Sequence, residues 1–228
     1  MNLQQITRPH DFINVSADFI LKICRNNGKK TRVNIALSGG STPKEIYASL
    51  AKKLSFMPFV NPVHFYQVDE RYVPASDEDS NQKMITEAFS ILESSQNPST
   101  KNIHFHFFDT TLPIEKSIKE YIKELPKTFD LAILGIGPDG HTASLFPNSK
   151  ELSSKAKVAH STTKEFAVKD RLTLTFSTII KAKNLLVLLK NKPEIIAELE
   201  NPTKPAKEFP AHKLLTHKKL SILSLTSS

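Results

Sequence analysis

Apolar segments of strand length alternate with segments of helical spacing along the whole chain. The strand-like segments are rich in Val, Ile, Leu and Phe and span residues 31–37, 63–68, 103–108, 130–136, 171–176, 184–189 and 219–225. Between them, apolar residues recur every three or four positions, with Lys and Glu on the opposite face, in segments 11–26, 43–54, 78–94, 113–125 and 192–200. The pattern therefore predicts an alternating series of strands and helices.

Several of the strand-like segments are apolar at nearly every position. Continuous apolar runs are typical of strands that helices cover on both faces of a largely parallel sheet. Together with the alternation, they predict a doubly wound α/β layer structure. The length of 228 residues fits one such domain over residues 1–228. The Pro-rich segment 200–210 is predicted to be a surface loop and not a linker between domains.

Cysteine content and the N-terminal sequence bear on the compartment. The lone cysteine, Cys24, excludes an internal disulfide and fits a reducing environment. The N-terminus lacks the uninterrupted apolar segment of a secretory signal. No apolar stretch approaches the roughly 20 residues that a membrane helix needs. The expected location is therefore the cytoplasm.

The chain is basic, with 31 Lys and Arg against 23 Asp and Glu and a formal net charge of +8. Such an excess favours anionic partners, which include phosphorylated metabolites, nucleic acid and membrane surfaces. However, the lysines form scattered doublets, at Lys29–Lys30, Lys52–Lys53 and Lys218–Lys219. There is no Trp and no aromatic–basic interleaving of the kind that single-strand binders use. We therefore expect a solvated basic surface, with neither nucleic acid nor a membrane as the principal partner.

Polar and glycine-rich segments follow three of the predicted strands. They are SGGSTP (38–43), DERYVP (69–74) and GPDGHTASLFP (137–147). Ligands of doubly wound folds bind beyond the carboxyl ends of the strands. The three segments are therefore expected to converge on one site.

The first of these segments has the composition of a helix start. Pro43 suits the first helical position, Thr42 or Ser41 can cap the helix, and Gly39 and Gly40 let backbone amides turn inward. Free amides and hydroxyls at a helix N-terminus bind anions, so the interpretation we favour is a phosphate site. A capped helix start without a ligand is the alternative. The spacing of a Walker loop is absent.

The second segment begins with three consecutive charges, Asp69, Glu70 and Arg71. They can be solvated residues at the end of a strand, and the segment by itself does not decide against that. Beside an anion pocket, Arg71 would clamp a phosphate or carboxylate in bidentate fashion. Asp69 or Glu70 would then fix Arg71 or contact sugar hydroxyls.

The third segment contains a glycine spacing that suggests a cofactor. Gly135, Gly137 and Gly140 fit the G-x-G-x-x-G pattern of a dinucleotide-binding turn. However, a carboxylate at Asp139 would repel a pyrophosphate, and Pro147 ends the following helix too early. The spacing is therefore interpreted as a coincidence, and no cofactor is expected.

What remains in this turn is His141, two residues after Asp139. A carboxylate at that spacing can hold an imidazole in one tautomer, and the imidazole can then take a proton from water. A surface turn with an idle histidine is the alternative, but it does not explain the glycines that bring the backbone close. The turn is therefore predicted to be catalytic. No metal site is expected at His104 and His106, because no third ligand has suitable spacing.

The segments LSGGSTP, VDERYVPASDEDSN and LGIGPDGHTASLFP, in this order, resemble the 6-phosphogluconolactonase branch of the glucosamine-6-phosphate isomerase/lactonase superfamily. Further similarity lies in DRLTLTF and LLKNK, and the resemblance extends from about Ile35 to the C-terminal region. The deaminase branch typically carries a glutamate where this chain has Phe146. The resemblance implies a three-layer α/β/α fold and hydrolysis of 6-phospho-D-glucono-1,5-lactone to 6-phosphogluconate in the pentose phosphate pathway.

The resemblance also implies roles for individual residues. His141 would be the general base, with Asp139 supporting it. Substrate and phosphate binding would fall to Ser38, Gly39, Gly40, Ser41, Thr42, Asp69, Arg71, Arg171 and Lys192. No metal is implied, since a strained lactone is an activated ester that a positioned base can hydrolyse. Two rival functions stay open: a sugar-phosphate deaminase or isomerase of the same fold, and a non-catalytic sugar-phosphate sensor.

Overall fold

The computed structural model describes residues 1–25 and 31–226; Asn26, the predicted end of the first helix, and the Lys29–Lys30 doublet lie outside the described residues. The strands are β1 (Asn2–Ile6), β2 (Val33–Leu37), β3 (Val63–Gln67), β4 (Asp69–Arg71), β5 (Ile103–His106), β6 (Leu131–Leu134), β7 (Val158–Thr162), β8 (Asp170–Leu174), β9 (Leu185–Lys190) and β10 (Leu220–Leu225). The helices are α1 (Pro9–Cys24), α2 (Ser41–Phe56), α3 (Asn81–Phe89), α4 (Ile114–Glu124), α5 (Phe176–Ile179) and α6 (Pro193–Glu200). None of the helices in the described ranges is long and apolar enough to cross a membrane.

Within the described residues, seven strands form one parallel sheet in the order β1-β10-β9-β6-β2-β3-β5. The order reverses between β2 and β6, because the chain first adds β3 and β5 beside β2 and later adds β9 and β10 beside β6. Loops that leave the two strands at such a reversal diverge and open a crevice, which is where ligands of this fold bind. The predicted doubly wound, largely parallel sheet is confirmed.

Side chains alternate across the sheet, so a single strand supplies two cores. In β2, Val33, Ile35 and Leu37 pack with α1, α2 and α3. Ala36 faces the opposite layer, which contains residues of α4, α5 and α6. The arrangement has three layers, α/β/α, as predicted, and it explains why all five residues of β2 are buried and the strand is apolar almost throughout.

The predicted strand at 171–176 does not join the main sheet. It forms β8, the middle strand of a separate antiparallel sheet in the order β4-β8-β7. Leu172 and Leu174 of β8 are buried in the core on the α6 side. In the same sheet, Arg71 of β4 pairs directly with Arg171 of β8. This small sheet therefore sets two arginines side by side, although they lie far apart in the sequence.

Three histidines meet where β3 and β5 pair. His104 and His106 share one face of β5, and Nδ1 of His64 on β3 lies 2.9 Å from Nε2 of His106. In the described part of the chain, no three His, Cys, Asp or Glu side chains are arranged so that they could hold a metal ion. Burial, the two neighbouring imidazoles and Arg32 lower the pKa of His64 to about 4. His64 is therefore neutral in the folded protein at pH values where an ordinary histidine already takes up a proton.

We expect the histidine cluster to make the protein acid-sensitive. The pKa of a histidine in an unfolded chain is about 6.5, so as the pH falls from there towards 4 the unfolded state takes up a proton that folded His64 does not. The free energy of unfolding therefore decreases through this window. Thermal melting between about pH 7 and about pH 5 should show a smaller decrease for His64→Gln than for the parent. His10→Gln, on the exposed surface of α1, is the control; equal pH sensitivity of the parent and His64→Gln would contradict the assignment.

Candidate active site

The segment after β6 is a tight turn that presents His141. The backbone N–H of Gly137 donates to the carbonyl of His141 at 2.8 Å, and that of Gly140 donates to the carbonyl of Gly137 at 3.0 Å. Gly140 has a φ of +81°, a conformation that side chains with a Cβ rarely adopt. In the described structure no α-helix follows this turn before β7. The turn therefore lacks the helix N-terminus on which a dinucleotide pyrophosphate rests.

Gly137 is required by the position of the imidazole. A Cβ at this residue would lie 2.1 Å from Cε1 and 2.2 Å from Nδ1 of His141. The imidazole therefore lies directly on the backbone of the turn. Close packing of His141 accounts for this glycine without a cofactor.

Asp139 contacts the His141 ring but does not line the cleft. Its Oδ1 lies 2.5 Å from Nδ1 of His141 and also accepts the backbone N–H of His141 at 3.1 Å. Burial works to raise the pKa of Asp139, but the hydrogen bonds and charge of His141 outweigh it, and the pKa is lowered from its ordinary value. An ionised carboxylate at Nδ1 favours the tautomer with its proton there, which leaves Nε2 as the hydrogen-bond acceptor.

Two phenylalanines pack against the same imidazole. The ring centroid of Phe146 lies 5.0 Å from that of His141, and the ring of Phe166 lies 5.5 Å away at an angle of 76°. Phe146 is buried, whereas Phe166 is 37% exposed. The imidazole is thus confined by the turn backbone, a carboxylate and two aromatic rings.

Three cationic side chains line the cleft into which His141 faces: Arg71, Arg171 and Lys192. Burial and the adjacent Arg71 lower the pKa of Arg171. Burial also lowers the pKa of Lys192. Among the described residues, none of the three forms an ion pair within 4 Å. With Asp69 as the carboxylate among the lining residues, the cleft carries an excess of positive charge, which suits an anion.

Neutral backbone carbonyls hold these cations in place. Nη1 of Arg71 donates to the carbonyl of Asp79 at 2.6 Å, and Nε of Arg171 donates to the carbonyl of Val168 at 3.0 Å. Lys192 follows β9, and its Nζ donates to the carbonyl of Ile136 in the turn after β6. These contacts orient the side chains without cancelling their charge.

The segment after β2 forms another wall of the cleft, with five lining residues: Ser38, Gly39, Gly40, Thr42 and Pro43. Ser41 is exposed and is not among the lining residues. Helix α2 begins at Ser41, and its N-cap is Gly40, with a φ of +107° and no side-chain cap. The prediction that Thr42 or Ser41 caps the helix and Pro43 opens it was wrong. Pro43 is the third helical residue, where a missing N–H costs little because first-turn amides have no intrahelical partner.

The two carboxylates after β3 have different surroundings. Asp69 lines the cleft and accepts a hydrogen bond from Oγ of Ser144 at 2.7 Å. The buried Glu70 points away from the cleft lining and accepts the backbone N–H groups of Arg71, Asn81 and Gln82, each at 2.7 Å. Glu70 therefore fixes the backbone between β4 and α3, and Asp69 is the carboxylate available to a ligand.

The lining residues that were not assigned from the sequence include Asn81, Ser144 and Phe166. Asn81 closes the segment VDERYVPASDEDSN, but nothing in its spacing indicated a role. Its Nδ2 donates to the carbonyl of Asp69 at 2.9 Å, and its side chain fills the place that a Cβ on Gly39 would occupy. Asn81 thus joins the loop after β2 to the charged segment after β3.

Comparison with known proteins agrees with the resemblance in these loops. A family model described as glucosamine-6-phosphate isomerases/6-phosphogluconolactonase matches residues 8–222. The chain belongs to this family. The matched range includes every residue of the cleft, from Ser38 to Lys192.

Relatives within the glucosamine-6-phosphate isomerase/6-phosphogluconolactonase family cover most of the chain. The chain is 37% identical over 171 residues to a 6-phosphogluconolactonase of Thermotoga maritima, which covers 73% of each chain. It is 35% identical over 193 residues to a probable 6-phosphogluconolactonase of Dictyostelium discoideum, with 80% of this chain and 79% of that one covered. A crystal structure of 6-phosphogluconolactonase from Thermotoga maritima matches with a TM-score of 0.81 and 29% identity, over 99% of both chains. The three-layer fold is therefore that of the family.

Proposed function

We propose that the chain is a single-domain lactonase that hydrolyses 6-phospho-D-glucono-1,5-lactone to 6-phospho-D-gluconate, in the oxidative branch of the pentose phosphate pathway. The observation that carries the proposal is the cleft itself, where His141, held by Asp139, faces the same space as three cationic side chains. A base and an anion site in one cleft suit a substrate with a hydrolysable carbonyl at one end and a phosphate at the other. The names of the relatives from Thermotoga maritima and Dictyostelium discoideum support the same activity.

In the proposed mechanism, His141 is the general base. Its Nε2 takes a proton from a water molecule while the water oxygen forms a bond to the lactone carbonyl carbon, C1. The bond between C1 and the ring oxygen then breaks, and the imidazolium returns its proton to that oxygen. Asp139 stabilises the imidazolium while it exists. A positioned base of this kind contributes about 10²–10⁴-fold to the rate.

The rest of the cleft would orient the substrate. The phosphate would bind Arg71, Arg171, Lys192 and the cleft-lining residues of segment 38–42, and its binding energy would hold the distant carbonyl against the base. A backbone amide of a glycine-rich turn, or an arginine, would meet the developing oxyanion. Asp69 would accept hydrogen bonds from sugar hydroxyls.

The family name covers a second reaction, the isomerisation of an amino-sugar phosphate with release of ammonia. Phe146 argues against it here, because its buried apolar ring packs at 5.0 Å from the imidazole where the deaminase branch carries a glutamate.

The test of the proposed function is to follow loss of freshly made 6-phosphogluconolactone against its spontaneous hydrolysis. We expect acceleration of lactone loss and no ammonia from glucosamine 6-phosphate. Ammonia release would favour the deaminase, and inertness towards both substrates would favour a sensor.

We also expect that NAD and NADP do not bind at the glycine-rich turn. The ionised Asp139 would lie beside the pyrophosphate, at a cost of about 1 kcal/mol at 4 Å in water and several at lower effective dielectric. The imidazole of His141 already occupies the space above Gly137. Calorimetry with millimolar NAD and NADP at moderate salt should give no binding heat, with 6-phosphogluconate as the positive control. A micromolar Kd for NAD would restore the cofactor interpretation and remove the basis for catalysis by this turn.

A further inference from the structure

Phe166 is a large apolar side chain that lines the cleft beside its cationic residues. It lies between β7 and β8, lines the cleft, and is partly exposed. Single exposed aromatic residues are common on protein surfaces. This one is distinguished by its contacts, because it touches two residues of the proposed active site at once.

The first contact is with the proposed base. The rings of Phe166 and His141 are nearly perpendicular, at 76°, with centroids 5.5 Å apart, which is an edge-to-face arrangement. Phe146 packs on the same imidazole and lies 5.9 Å from Phe166. The imidazole is therefore held by an aromatic pair as well as by Asp139.

The second contact is with the proposed phosphate site. Cζ of Arg171 lies over the ring of Phe166, 5.8 Å from its centroid, within the range of a cation–π interaction. Arg171 is anchored to the same connection, because its Nε donates to the carbonyl of Val168. One ring thus links the base to a cation of the anion site.

The segment that carries Phe166 is held by its own hydrogen bonds. The backbone N–H of Thr163 donates to the carbonyl of Lys169 at 3.1 Å and closes the connection between the antiparallel strands β7 and β8. The hydroxyl of Thr163 accepts the N–H of Glu165 at 3.1 Å inside it. Phe166 is therefore presented from a closed hairpin loop and can impose a position on its neighbours.

We propose that Phe166 is a positioning residue that fixes the imidazole of His141 and the guanidinium of Arg171 relative to each other. It thereby sets where the lactone carbonyl lies when the phosphate is bound, an inference that rests on the proposed function. The role needs an aromatic ring, since its electron-rich face attracts the guanidinium and edge-to-face packing with the imidazole needs a second ring. A leucine would fill similar space without either interaction.

The test compares Phe166→Ala, Phe166→Leu and Phe166→Tyr with the parent, and Glu165→Ala serves as the control on the same loop. We expect Phe166→Ala and Phe166→Leu to lower kcat about tenfold and to weaken binding of inorganic phosphate about threefold. Phe166→Tyr should restore both, and Glu165→Ala should change neither. A Phe166→Leu variant with the parent kcat and phosphate affinity would overturn the proposal, as would a change in KM with kcat unaffected.

A second measurement separates this inference from the proposed function. In NMR spectra of the parent, the ring current of Phe166 should displace the imidazole proton signals of His141, and Phe166→Leu should remove that displacement. If the parent shows no lactonase activity, the proposed function fails. The positioning role of Phe166 is then tested by the His141 signals and the phosphate affinity alone. A Phe166→Leu variant that loses the displacement of the His141 signals and binds phosphate more weakly supports the positioning role. A variant that keeps either the displacement or the phosphate affinity of the parent overturns it.

Discussion

Replacing His141 by Ala should lower kcat for lactone hydrolysis by about 10²–10⁴-fold, the usual contribution of a general base. The remaining parts of the cleft stay in place in this variant. Arg71, Arg171 and Lys192 are held by backbone carbonyls and not by the imidazole. Binding of inorganic phosphate should therefore be close to that of the parent.

The chain offers a matched control for this substitution. His160 contacts Asp170 at 2.7 Å, so it is a second His–Asp pair, but neither residue lines the cleft. His160→Ala should leave kcat unchanged, which shows that loss of a paired imidazole is not by itself harmful. Near-parent turnover of His141→Ala at neutral pH would show that the base has been assigned wrongly.

Replacing Arg71 by Ala should raise KM for the lactone by about 10–100-fold, since a hydrogen bond to a charged group contributes about 1.5–3 kcal/mol. The phosphate does not react, so its contacts are the same in the ground state and the transition state, and kcat should change much less than KM. Inorganic phosphate or sulfate should compete with the substrate in the parent. Their inhibition constants should rise in the variant by a similar factor.

Arg8→Ala is the control for loss of one positive charge. Arg8 forms an exposed ion pair with Asp11 at the start of α1 and does not line the cleft. If both variants raise KM equally at low salt, the effect is long-range attraction of the substrate and not a contact. An unchanged KM for Arg71→Ala would move the phosphate to Arg171 or Lys192.

Most features that depend on neighbouring residues were correctly predicted from the sequence. The strands and helices follow from hydrophobic spacing, and the parallel sheet follows from strands that are apolar on both faces. The contact of Asp139 with His141 was predictable because the two residues are two positions apart in one glycine-rich turn. Convergence of the loops after β2, β3 and β6 followed from the rule that parallel strands end on the same edge of the sheet.

The start of α2 was predicted incorrectly for a local reason. Pro43 and the hydroxyls before it are a typical helix opening, yet Gly40 begins the turn with a positive φ that the sequence pattern does not reveal. The short strands β1, β4 and β7 were also not predicted as strands. Their sequences, NLQQI, DER and VAHST, lack the apolar run or apolar alternation by which the other strands were predicted.

Only the tertiary structure determines the contacts between residues that are distant in the chain. Arg171 lies beside Arg71 because β8 pairs with β4 and not with a strand of the main sheet. Hydrophobic spacing does not specify this pairing. Phe166 contacts His141 and Arg171 because the connection between β7 and β8 lies beside the cleft. The sequence determined the chemistry of each loop, since a turn of a few residues fixes its own geometry. The distances between loops depend on strand pairing and on packing between distant elements, so only the folded structure determines how His141, the cations and the aromatic rings are arranged.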